Sequence, residues 1–439
     1  MKRILISEVV DHLGKVVKLS GWVNVRRDHG KIIFVDLRDR SGIIQTVIIP
    51  DQEEAYKQAK EIRPEYVVEI EGLVKERPGG AENEKNFGCF EIEVKDIRVL
   101  GKTYGDLPVE VSGDLEELNL ETLLNHRHLA LRNEKVKAIF KVYSEMLFGY
   151  EKFMREEGFT EIKSPKILCN ATEGGANFFK IKYFDQEAYL AQSPQFYKQA
   201  GVGIFERVFE IGTVFRAEPH FTSRHVNEYT GMDAEMGFIE GFSDVMDELE
   251  RVMRYLMKQI GEKCREELAL YGVETPSDMA FPRIKLTEAL EILEKEYGKK
   301  YEGIDIDSEG ERLISEWIKK EKGSDFVFLT HYPKSIRPFY SMPDVEDSSL
   351  TDTFDLIFRG VEIASGGQRI HDYEVLRANI EKHRLDPKEF EDYLSVFKYG
   401  MPPHGGWGLG SERIVQKILG IENIKQVILY PRDVKRLTP

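Results

Sequence analysis

Gly406-Trp407-Gly408-Leu409-Gly410-Ser411-Glu412-Arg413 is a glycine-rich run that closes on an acid and an arginine. Far upstream stands a complementary segment, Phe215-Arg216-Ala217-Glu218, with a second arginine and a second acid. A guanidinium grips phosphate oxygens with paired donors, and glycine lets a backbone come close to a ligand. Two arginines, two acids and open backbone together suggest ATP.

Composition places these segments in an enzyme-sized globular chain. Its 439 residues allow two or three domains, and 41% hydrophobic content is ample for a core. There is no apolar run long enough to span a bilayer, and the opening MKRILISEVV lacks a secretory h-region, so a cytoplasmic location is expected with no membrane partner. Cys89, Cys169 and Cys264 stand far apart and show neither CxxC nor zinc spacing. A net charge of -15 excludes a broadly basic nucleic-acid coat but not a local basic patch.

Residues 16–25, 31–39, 43–50, 66–74 and 90–100 read as five strands, with a helix over 51–62 between the third and fourth. This order within 1–101 is that of an OB barrel, which either binds single-stranded nucleic acid or is simply a small structural barrel. Alternation puts Ile33, Val35 and Leu37 on one face and Phe34, Asp36 and Arg38 on the other. With the first face as core, Phe34 is expected to be exposed and able to stack an unpaired base. Arg26, Arg27, Gln45 and Glu71 could add phosphate and base-edge contacts, although each alone reads equally as a solvated surface residue.

Residues 102–132 break the strand pattern and read as a hinge. From 133 on, helical spacing over 136–157 stops at Gly158. Residues 240–345 read as amphipathic helices serving as scaffold. Three segments then line up in order: Gly158-Phe159-Thr160-Glu161-Ile162-Lys163-Ser164-Pro165, Phe215–Glu218 and Gly408–Arg413. Together they resemble motifs 1, 2 and 3 of the class II aminoacyl-tRNA synthetases. With the barrel in front, the whole chain is similar to the aspartyl, asparaginyl and lysyl subgroup.

The resemblance implies an α+β protein: an N-terminal OB-fold β-barrel for the anticodon (1–101), a hinge (102–132) and a class II synthetase catalytic domain (133–439) whose antiparallel sheet is flanked by helices. It implies a homodimer joined through motif 1. Arg216 would bridge the amino-acid carboxylate and the α-phosphate of ATP. Glu218, next to Ala217, would receive the adenine amino group. Arg224 and His225, with Val226 beside them, would assist the phosphates, and Arg413 would hold the γ-phosphate side. Gly410, Ser411 and Glu412 would wall the nucleotide. Glu362 and Ser365, three residues apart, suit Mg2+. The bland reading of any one arginine-acid pair is a salt bridge.

Amino-acid choice turns on Gln192-Ser193-Pro194-Gln195-Phe196-Tyr197-Lys198-Gln199, which resembles the aspartyl version. Lys198 and Arg369 would clamp the side-chain carboxylate of L-aspartate. Gln195, Asp233 and Glu173 would meet its ammonium and close over it, and Phe196, Tyr197 and Ser365 complete the expected pocket. By the same resemblance Arg26, Phe34, Gln45 and Glu71 fall on anticodon positions. Relatives strict for tRNA-Asp can carry tryptophan where this chain has Asn24, and a lysine in the loop holding Pro78 and Gly79. The expectation is a relaxed enzyme that also charges tRNA-Asn, with an amidotransferase downstream. Alternatives are a strict enzyme, an asparaginyl enzyme, an amino-acid ligase without tRNA, and a non-catalytic RNA-binding paralogue.

Overall fold

The computed structural model describes residues 1–77, 87–114, 118–169, 177–219, 222–277, 279–301 and 305–438. They form two compact units, Met1–Asn133 and Glu134–Pro439.

The first unit is a closed barrel of β1 (Val16–Asp28), β2 (Ile33–Arg38), β3 (Ile43–Ile48), β4 (Val67–Glu76) and β5 (Phe90–Gly101), in the order β1-β2-β3-β5-β4. The helix Glu53–Glu61 lies between β3 and β4, as the pattern predicts. Alternation sends Ile33, Val35 and Leu37 into a fully buried core. Two residues of the opposite face depart from expectation. Arg38 is buried because its guanidinium reaches Glu65 at 2.7 Å and Asn24 at 2.6 Å. Phe34 is only half-exposed, since His29 meets its ring edge-on at 5.6 Å. The expected hinge belongs to this unit and carries short helices at Leu120–Asn125 and Arg127–Ala130.

In the second unit the strands are β6 (Thr160–Glu161), β7 (Ile167–Leu168), β8 (Lys180–Tyr183), β9 (Gln186–Leu190), β10 (Arg207–Phe215), β11 (Glu228–Gly237), β12 (Arg283–Lys285), β13 (Phe326–Pro333), β14 (Leu350–Phe358), β15 (Val361–Arg369) and β16 (His404–Gly410). The main sheet runs β12-β13-β14-β15-β16-β11-β10-β6. Its centre is antiparallel as expected, but both edge pairings, β12 with β13 and β6 with β10, are parallel. The helix Glu134–Glu156 stops before Gly158, whose φ of +81° suits glycine. Val142, Met146 and Tyr150 of that helix share one core with Val252, Leu256 and Ile260 of the helix Phe242–Lys263. Residues 240–345 are therefore more than helical scaffold, because β13 is an integral strand of the sheet.

Candidate active site

One cleft in the second unit, about 1220 Å³ with its open mouth, gathers most of the residues singled out from sequence. The helix Gln195–Phe205 supplies Gln195 and Lys198 one turn apart, and β11 supplies Asp233. Arg216 follows the end of β10, and Glu218, Arg224, His225 and Val226 line the wall before β11 begins. Strand β15 presents Glu362, Ser365 and Arg369, while Gly410, Glu412 and Arg413 come from the junction of β16 with the helix Ser411–Leu419.

Four expected residues are not on that wall. Phe196 stacks on Tyr393 at 4.1 Å within an aromatic core, so its ring packs away from the cleft. Tyr197 is 40% exposed elsewhere. Ala217 donates its backbone N–H to Asn177, and Ser411 is buried with its hydroxyl donating to the Thr230 carbonyl. Glu173 lies outside the described residues, as do Pro78 and Gly79.

At the closed end, Lys198 is buried and donates to Asp233 Oδ1 at 3.0 Å and to the Trp407 carbonyl at 2.8 Å, with Glu235 Oε2 at 3.5 Å. Arg369 donates through Nε to Glu235 at 2.9 Å and through Nη2 to the Gly406 carbonyl at 3.0 Å. The chain thus supplies its own anions to both cations, where sequence reasoning looked only to the substrate. Burial pushes the Asp233 carboxyl up, with Lys198 pulling the other way. For Glu235 burial also pushes up, but Arg369 and Lys198 outweigh it and hold the carboxyl below its usual range. No motif marks Glu235, although Asp233-Ala234-Glu235 puts both acids on one strand face. Gln195 is buried, and its Nε2 has no hydrogen-bond partner among the described residues.

Charges alternate at the open end. Arg216 lies over the Tyr229 ring at 5.5 Å and 3.7 Å from Glu218, which also faces His225 Nε2 at 3.5 Å. Arg224 pairs with Glu311 at 2.9 Å, and Arg413 donates to the Glu362 carbonyl at 2.7 Å. Burial and then the neighbouring Asp355 push the Glu362 carboxyl up to about 7, with Arg413 opposing. Ser365 Oγ accepts from Arg337 at 3.0 Å, and Arg337 also reaches Asp355 at 2.7 Å. Asp355 Oδ1 is buried without a hydrogen-bond partner among the described residues. Crowded carboxylates with an unmatched oxygen suit a divalent cation, so Glu362 fits that role and Asp355 is an added candidate. Glu311 and Arg337 come from the stretch read as scaffold, and no local pattern marks them.

The barrel's outer face shows a second constellation. Arg27 faces Phe34 across β1 and β2, and its guanidinium takes Asp36 through two bonds with Gln45 at 3.5 Å. Gln45 also donates to Glu91 on β5. Arg26 is tied to the Ala59 carbonyl and Asp28. Glu71 pairs with Lys18, nine positions from Arg27 along β1, and no described contact joins it to the Phe34 cluster.

The family model for tRNA synthetases class II (D, K and N) matches residues 119–434, and that for the OB-fold nucleic acid binding domain matches 17–100. The chain belongs to the class II tRNA synthetases of the D, K and N group. Among relatives of this synthetase, an aspartate-tRNA(Asp/Asn) ligase of Deinococcus radiodurans is 45% identical, covering 100% of the chain and 99% of the relative. An aspartate-tRNA(Asp) ligase of Pyrococcus furiosus is 44% identical, covering 99% and 98%. The crystal structure of asparaginyl-tRNA synthetase from Pyrococcus horikoshii complexed with asparaginyl-adenylate superposes on the synthetase with TM-score 0.91 at 32% identity, covering 100% of both chains. No helix among the described residues is long and apolar enough to cross a membrane.

Proposed function

We propose that this synthetase activates L-aspartate with ATP and transfers it to tRNA-Asp and also to tRNA-Asn. The observation that carries the reading is the pair of buried cations, Lys198 and Arg369, at the closed end of the cleft. An incoming side-chain carboxylate can meet Arg369 at Nη1, which its described hydrogen bonds leave for a ligand, and can compete with Asp233 for Lys198. An asparagine amide brings no charge to that exchange. Gln195, with its unmatched amide donor, is placed to bind a substrate oxygen.

Arg216 orients the aspartate α-carboxylate against the α-phosphate and stabilises the charge that develops there. A carboxylate oxygen attacks phosphorus, the bond to the bridging oxygen breaks and pyrophosphate leaves. A hydroxyl of the terminal tRNA adenosine then attacks the acyl carbon and AMP departs, without an enzyme-linked intermediate. Glu218 meets the adenine amino group, while Arg224, His225 and Arg413 receive phosphate oxygens. Glu362 and Ser365, with Asp355 nearby, would hold Mg2+, which would supply neutralisation of phosphate charge. Phe34, Gln45 and Arg27 form the anticodon face of the barrel, with Arg26 and Glu71 outside that cluster.

Use of tRNA-Asn is supported by the Asp/Asn name of the Deinococcus relative and by Asn24, whose oxygen is occupied by Arg38. An amidotransferase would then act on the mischarged product. A homodimer joined through motif 1, which contains edge strand β6, completes the proposal. The alternative amino acid is asparagine, which the charged pair Lys198 and Arg369 argues against. Charging of labelled aspartate and asparagine onto separate tRNA-Asp and tRNA-Asn transcripts decides between them. Aspartate on both tRNAs is expected; asparagine on tRNA-Asn would overturn the reading.

A further inference from the structure

Away from the cleft, β13, the following loop and β14 bring His331, Asp344 and Asp352 together, with one ligand atom of each lying within 4.8 Å of the others. We propose that these three side chains bind a divalent cation of the Zn2+ or Mn2+ class, which clamps the loop against the sheet.

Hydrogen bonds prepare two of the three ligand atoms, those of His331 and Asp344. Thr330 Oγ1 lies 3.3 Å from the Ile284 carbonyl and 2.8 Å from His331 Nδ1. With the hydroxyl proton on the carbonyl, the ring donates at Nδ1 and Nε2 keeps a lone pair for a cation. Asp344 Oδ1 likewise accepts the backbone N–H groups of Glu346 and Asp347, at 3.0 and 2.7 Å. Its other oxygen, Oδ2, therefore faces His331 Nε2, at 3.8 Å. In that tautomer an acceptor stands opposite an acceptor. The separation is too long for a hydrogen bond, but a cation about 2.1 Å from each atom spans it. Asp352 adds a third oxygen.

Partners that tie the outer atom of a ligand are the usual support of a metal site, since they fix orientation before the ion arrives. The ring is held further by Phe242, edge-on at 5.3 Å. With His331 and Asp344 side chains 17% and 15% exposed, the trio is shielded yet reachable. Lys285 opposes a cation here, while Asp344, Asp352 and Glu346 outnumber it. One imidazole among carboxylates favours Zn2+ or Mn2+ over Mg2+, which prefers oxygen and water.

The position gives the clamp a purpose. Asp352 N–H donates to the Met342 carbonyl, and Met342 N–H donates to Gln368 on β15. Ser341 bridges to Arg369, and Pro338, Tyr340 and Ser341 line the cleft. A cation on the far side of this loop would hold one wall of the cleft in place.

The test is calorimetric titration of EDTA-stripped full-length protein with ZnCl2 and with MnCl2, without nucleotide. Wild type, His331→Asn, Asp352→Asn and Glu362→Gln are compared. Asparagine tolerates the left-handed backbone of His331 (φ +59°), and Asp352→Asn is isosteric. The equivalent that binds at His331 should be present in wild type and Glu362→Gln alike, whatever the cleft site takes up, and should bind at least about tenfold more weakly to the other two. On unmutated protein, pulsed EPR of bound Mn2+ should show coupling to an imidazole nitrogen. Unchanged affinity in both variants, loss only in Glu362→Gln, no imidazole coupling, or no binding up to about 1 mM would each overturn the proposal.

Discussion

Replacing Lys198 with methionine keeps the length of the side chain and deletes its charge, leaving Asp233 and Glu235 buried beside an apolar group. Arg369 still pairs with Glu235 at 2.9 Å, so the uncompensated member is Asp233, whose bond to Lys198 is 3.0 Å. Removing one partner of a buried pair costs about 3–5 kcal/mol, since the remaining charge has lost its counterion. At roughly 2 °C per kcal/mol for a large domain, the melting midpoint of the catalytic unit should fall by roughly 6–10 °C at neutral pH. The loss should depend on pH in a fixed direction. Burial already raises the Asp233 carboxyl and Lys198 restrains it, so the substitution raises it further. A carboxyl raised in the folded state favours folding at low pH and loses that contribution as pH rises through its folded value. Differential scanning fluorimetry at pH 5.5 and 8 should therefore show the variant closer to wild type at the lower pH. Adding Asp233→Asn should recover most of the loss, because a neutral pair needs no counterion. An equal deficit at both pH values, or no recovery in the double variant, would refute the electrostatic account.

Gln195→Met removes a buried donor that has no partner, an arrangement that costs about 1–3 kcal/mol, so the melting midpoint should hold or rise while the KM for aspartate rises about tenfold; a lower midpoint with unchanged KM would mean the amide is structural. Phe34→Ala should weaken tRNA binding by about 1–3 kcal/mol in a filter assay and leave ATP-pyrophosphate exchange untouched; a loss of exchange would contradict the assignment of the barrel face. Because Glu362 is raised to about 7, protonation through that range should increase the Mg2+ needed for half-maximal exchange as pH falls from about 8 to 6. Glu362→Gln should show the high requirement at every pH, and a wild-type requirement independent of pH would argue against Glu362 as a ligand.

The barrel was legible because a strand with one buried face leaves a period of two in the sequence, and Ile33, Val35 and Leu37 follow it. The same rule misplaced Arg38, which reads as outward until Glu65, distant in sequence, provides a buried partner. Glu311 and Arg337 escaped for a related reason, since each looks like an ordinary surface residue until the fold brings it to Arg224 or Ser365. Glycine shows the limit in another way. By sequence the run at 406–410 reads as backbone opened for a nucleotide, yet a Cβ on Gly406 would collide with the Ala234 carbonyl and the Glu235 carboxylate. At Gly410, by contrast, the nearest atom to a Cβ is 3.6 Å away, and this glycine lies on the cleft wall. One short motif thus serves two ends. Its first half lets β16 press against β11 and so places Glu235 on Lys198 and Arg369, while its second half borders the arginine and the acid at the nucleotide end. Substitution at Gly406 should therefore disturb recognition of the amino acid as well as the sheet, a coupling that follows from the register Glu235 to Gly406 and not from the motif itself.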